Sequence, residues 1–128
     1  MSVGSFDPSQ LNADLELDLV RVLLSRVGSG ETLDLDAAEQ ARFAPLVTHA
    51  QWAERSDDFS DEELTVLIRV FTLGEQQYQS WIAEQKSAVV PLVRALKARG
   101  SYDKALTRWI KQHSNNKFLP HGSLMDRL

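Results

Sequence analysis

Three histidines, His49, His113 and His121, are the side chains best suited to titrate near neutral pH or to ligate a metal in this 128-residue chain. Their spacing supports neither role. No His, Asp or Glu stands three or four residues from His49 to complete a ligand pair on a helix; Glu54 is five residues on, and His113 and His121 are separated by eight positions. Capping or surface roles are expected instead. His113, placed in the last turn of a predicted helix, would be favoured there when protonated by the negative helix terminus. The carboxylates come next, dense in "DLELD" and "SDDFSDEEL" and of a type that serves acid–base or hard-cation chemistry. A calcium loop needs oxygen ligands at alternating positions, a glycine for its sharp turn and a closing Glu; "DDFSDEELTVLI" lacks the glycine and turns apolar where the last ligand belongs. Solvated faces and helix N-terminal charge account for these runs. The loop "GSGETLD" follows a predicted helix rather than a strand and carries no Lys-Ser/Thr pair of the phosphate-cradling type. No serine sits in a G-x-S-x-G elbow, and the absence of cysteine removes thiolate chemistry and sulfur-ligated metals. The sequence therefore nominates no catalytic, cofactor-binding or metal-binding residue, implies no cofactor, and does not favour an enzyme.

Charge is the more informative property. Residues 1–85 hold sixteen acidic side chains against five arginines and no lysine, a net of −11; residues 86–128 hold nine basic side chains against Asp103 and Asp126, a net of +7. Such polarity can mark a surface for a charged partner, or it can be internal complementarity, the basic end folding over the acidic one.

Composition predicts a single globular domain, with 43% hydrophobic and 25% charged residues. The N-terminus lacks a basic segment followed by an apolar one and no apolar run approaches a membrane span, so a cytoplasmic protein without membrane contact is expected. Helical periodicity runs from Leu11 through Leu15, Leu19, Val22 and Leu23 to Val27, with Asp7 and Pro8 as start signals and Gly28–Gly30 as the stop; Ala13 to Leu19 also alternate like a strand, but length decides for a helix. A second helix is predicted from Asp34 or Asp36 to Glu54, kinked or divided at Pro45. "SDEELTVLIRVFTL" opens with a capping box, Ser60 and Glu63, and is apolar on almost every side, which marks a central helix; Gly74 is expected to break or bend it before a segment carrying Tyr78, Trp81 and Ile82. Ser87 is the expected cap of a helix with Val89, Leu92, Val93 and Leu96 buried and Gly100 at its end. Ser101 then caps a last helix whose inward residues are Tyr102, Ala105, Leu106 and Trp109, closing a tight hairpin. The tail turns at Asn115 and Asn116, and Phe118, Leu119, Leu124 and Met125 are expected to dock on the body, since each buried apolar side chain contributes about 1.5–3 kcal/mol; exchange of the tail with a second copy is the competitor. The fold class is all-α, an irregular single-domain bundle of five to seven helices with a docked C-terminal tail.

Gly100, Tyr102, Ala105, Leu106 and Trp109 look like the second half of a tetratricopeptide unit, but Val93 and Leu96 depart from its first half and there is no second copy. A helix-turn-helix reading meets Leu96 and Arg99 at places that want a small and an apolar residue. What remains is a surface. Lys104, Arg108 and Lys111 share one helix face, Arg94 and Lys97 extend it, and Trp109 and Phe118 supply aromatic anchors of the kind that dominate interfaces. The expected function is a non-enzymatic protein-interaction or regulatory role through this basic and aromatic C-terminal surface, with a protein partner or a second copy. The alternatives are a nucleic-acid-associated regulator, disfavoured by the acidic bulk of the molecule, and an enzyme or small-molecule-binding domain with a pocket between helices.

Overall fold

The computed structural model describes residues 14–122 and contains no strand among them. Six α-helices, α1 (Leu17–Val27), α2 (Ala37–Val47), α3 (Trp52–Arg55), α4 (Asp61–Gln77), α5 (Val89–Ala98) and α6 (Lys104–His113), are joined by loops and by three 3-10 turns.

The bundle is organised around α4. Ser60 Oγ accepts from the Glu63 amide at 3.1 Å and Glu63 Oε1 accepts from the Ser60 amide at 2.9 Å, the predicted capping box. Beyond the cap, Leu64, Leu67, Ile68, Val70 and Phe71 are fully buried on several sides of the helix. A helix apolar over that much of its surface must be surrounded, and α1, α5, α6 and the 3-10 turn Gln79–Trp81 all pack on it. Gly74 does not break α4, which continues to Gln77. Its lack of a side chain admits the Trp81 ring instead.

Elsewhere the structure moves several expected boundaries. Asp14–Glu16 is not helical, and α1 begins at Leu17 behind an extended Glu16. Leu15 enters the core from the non-helical segment, its amide donating to Gln51 Oε1 at 2.6 Å; residues 1–13, including the expected Asp7–Pro8 start, lie outside the described residues. The buried stripe of α1 is Val20 and Leu23, and Val22 is exposed. The second predicted helix is two, α2 behind an Asp36–Glu39 capping box and the single turn α3, with the division at residues 48–51 rather than at Pro45. Trp52 closes that junction: fully buried, it donates from Nε1 to the Leu46 carbonyl at 2.7 Å. In α6 it is Ile110, not Ala105, that joins Leu106 in the core, and Tyr102 and Trp109 are half-buried.

The turn between α5 and α6 carries the link between the two oppositely charged halves. Gly100, at φ +72°, lets the Ser101 amide bond the Leu96 carbonyl (2.9 Å) and its own amide bond Lys97 (3.0 Å), so that the last carbonyls of α5 are satisfied. Ser101 does not cap α6; Asp103 does, accepting from the Ala105 amide at 2.8 Å. Ser101 Oγ instead donates to Asp61 Oδ2 (2.6 Å), beside Arg99, whose guanidinium reaches Asp61 Oδ1 (2.9 Å) and the carbonyls of Phe59 (2.9 Å) and Ser56 (2.7 Å). The Ser101 hydroxyl and Arg99 together hold the Asp61 carboxyl below the usual carboxylate range. Arg99→Ala strips donors from two backbone carbonyls and a carboxylate, and is expected to cost about 1.5–3 kcal/mol. Asp61→Asn, which keeps both carbonyl bonds, is expected to cost clearly less; urea denaturation of the two variants checks the order.

The tail docks as expected through the last described residue. Leu119 is buried in the core cluster, Pro120 and Gly122 are covered, and Phe118 is half-buried; Leu124 and Met125 lie outside the described residues.

Candidate functional sites on helix 6 and beneath the tail

The sequence-selected residues fall in three places. On α6, Lys104, Arg108 and Lys111 are exposed on the side away from Leu106 and Ile110. None of the three has an ion pair or hydrogen bond from its side chain among the described residues. Trp109 sits on the shoulder of this face, its ring stacked on His113 at 4.2 Å with the Arg69 guanidinium 5.9 Å from its centroid. Lys97 turns toward the tail, where Nζ donates to His121 Nδ1 at 2.8 Å and lies 5.3 Å from the Tyr102 ring centroid. Arg94 borders grooves shared with α3 and with residues 48–50, and Phe118 lines a separate cleft with Glu75. The histidines lie apart and serve local roles: His49 Nδ1 accepts from the Gln51 amide (3.1 Å), His113 Nδ1 meets the Trp109 carbonyl (2.7 Å), and His121 receives Lys97. Among the described residues no group of three or more acids and histidines could hold a metal, and no helix is long and apolar enough to cross a membrane.

Four arginines elsewhere are committed to acids. Arg26 forks onto Glu39 (2.6 and 3.2 Å), Arg21 pairs with Glu63, Arg55 reaches Asp14 at 3.9 Å, and Arg99 holds Asp61. Glu39 and Glu63 are held below the ordinary carboxylate range, Glu39 first by its bond to Arg26 and Glu63 first by the Ser60 amide. Arg99 thus carries complementarity between the two halves, and Lys104, Arg108 and Lys111 of α6 face solvent without a counter-charge among the described residues.

One group escaped the sequence reading. Glu75, near the end of α4, is 8% exposed, and burial pushes its carboxyl up to about 7 despite two donors, Ser87 Oγ on Oε2 and Asn116 Nδ2 on Oε1 (3.3 Å). Ser87 Oγ also accepts from the Val89 amide (3.1 Å), so the expected cap of α5 bonds one residue early and spends its proton on Glu75. A signal was present in the sequence: Glu75 stands four residues after Phe71 and seven after Ile68, in the register of the core. Asn116 ties the tail over this carboxyl, with a further bond from Nδ2 to the Glu84 carbonyl at 2.9 Å.

Comparison with protein-family models, curated proteins and solved structures finds no match to this chain.

Proposed function

We propose that this protein is a non-enzymatic recognition module that contacts an acidic protein surface through the outward face of α6. The observation that supports this reading is the unpaired state of Lys104, Arg108 and Lys111 among the described residues of a chain rich in acids, while the arginines Arg21, Arg26, Arg55 and Arg99 are each engaged by a carboxylate. Exposed cations at this spacing steer a partner of opposite charge and fix its register. Trp109 beside them adds an aromatic edge of the kind that anchors interfaces. A nucleic acid is the weaker partner. The three charges span only about 10 Å of helix, enough for few phosphates, and the net charge of −4 repels a polyanion over longer range. An acidic protein patch needs no more than a local match.

The variant K104E/R108E/K111E tests the reading. These side chains are exposed, so stability is expected to stay within about 0.5–1 kcal/mol of the parent. Proteins retained from nuclease-treated lysate by the wild-type chain should bind the variant at least about tenfold more weakly and should be released by added salt. Retention of the same proteins by both chains, or loss of all binding on nuclease treatment, would overturn it.

A further inference from the structure

The cleft at Glu75 lies between the end of α4, the 3-10 turn Glu84–Lys86 and the returning tail, encloses about 410 Å³, and opens to solvent. Its walls include Glu75, Ile82, Glu84, Asn116, Lys117 and Phe118. We propose that this cleft binds a small organic monocation, a primary alkylammonium, with its charge against the Glu75 carboxylate and its apolar chain on Ile82 and Phe118. The site is independent of the α6 surface.

Four observations converge on that chemistry. Asp61, Glu39 and Glu63 are each matched by a guanidinium, whereas Glu75, far more deeply buried, has only neutral donors among the described residues. A buried carboxylate gains most from a counter-charge, and the open side of the cleft is where one can arrive. The three ionisable groups on the walls, Glu75, Glu84 and Lys117, sum to one negative charge when all are ionised, which suits a monocation and disfavours a polyamine. Ile82 is 58% exposed, the most exposed large hydrophobic side chain described, and with Phe118 it offers an apolar seat beside the carboxyl. An ammonium carries three donors, and the Glu84 carbonyl, positioned by Asn116 in a residue at φ +52°, is a second acceptor next to Glu75. The volume falls in the range of ordinary small-ligand sites, about 300–1,000 Å³.

The test is an NMR titration of the full chain with butylammonium at about pH 8, alongside butan-1-ol and plain ammonium. Saturable shifts confined to residues lining the cleft are expected for butylammonium, with both controls at least about tenfold weaker. Glu75→Gln, which keeps the shape of the side chain and removes its charge, should weaken butylammonium by about tenfold or more. The wild-type affinity should fall as pH drops below about 7, where a proton competes for Glu75. Equal binding by Glu75→Gln, equal binding of the alcohol or of plain ammonium, or shifts scattered over the acidic surface would each overturn the proposal.

Discussion

Replacing Gly74 by alanine is expected to destabilise this protein by about 2–3 kcal/mol, although the same change on an exposed helix would stabilise it by about 1 kcal/mol. A Cβ built at Gly74 lies 2.1 Å from Cε3 and 2.4 Å from Cζ3 of Trp81, far inside contact distance and against a rigid ring. The indole has nowhere to retreat. Trp81 is 1% exposed, its Nε1 donates to the Gln40 carbonyl at 2.9 Å, and Phe71 and Tyr78 lie at ring-centroid distances of 6.1 and 5.5 Å. Tyr78 is fixed in turn, its hydroxyl accepting from the Leu35 amide at 2.8 Å. Any shift of the indole therefore strains the bond that joins the turn after α4 to α2. Urea denaturation followed by tryptophan fluorescence measures the loss. If Trp81 is the cause, Trp81→Leu should shrink the cost of Gly74→Ala sharply in a double-mutant cycle; a stabilised Gly74→Ala protein would show that the close approach does not exist.

The second large effect belongs to Glu75 and depends on pH. Its carboxyl titrates near 7 in the folded chain against an ordinary value of 4.5, and burial is the main cause. Below about pH 4.5 the group is protonated in both folded and unfolded chains and contributes nothing to the difference. From about 4.5 to 7 the unfolded chain releases its proton while the folded chain keeps it, so stability falls as pH rises. Above about 7 the full penalty is in place, up to about 3 kcal/mol. Glu75→Gln cannot ionise and should escape that loss. It is expected to match the wild type near pH 4.5 and to exceed it by as much as about 3 kcal/mol near pH 8, the gap opening between those values. Parallel stability curves for the two proteins would mean that Glu75 is solvated in the folded state.

What was legible in the sequence follows from how local each cause is. The Ser60–Glu63 box and the left-handed Gly100 are settled by residues within one turn, and both could be read directly, whereas Pro45 misled, since α2 runs through it to Val47 and the division falls at residues 48–51. The central position of α4 was legible because an all-round apolar helix has one environment open to it. Gly74 was not, because its role depends on Trp81 returning to the helix from the following turn, and a glycine before a change of direction resembles a stop signal. Asp103 displaced Ser101 as the cap of α6 because Asp61, forty residues away in sequence, claims the Ser101 hydroxyl. The cations of α6 were legible as a helix face, but their lack of partners depends on where the fold places acids that are distant in sequence. Arg94 and Phe118, joined to that face by charge and type alone, lie on other parts of the surface, toward α3 and at the Glu75 cleft.

The recognition surface is tested most directly by a photoreactive residue at position 108, irradiated in cells that make the protein. The account predicts one or a few discrete protein adducts whose cross-linked segments are acidic, absent when Lys104 and Lys111 are reversed to glutamate. Cross-links chiefly to nucleic acid, or a protein pattern that ignores those two lysines, would contradict it.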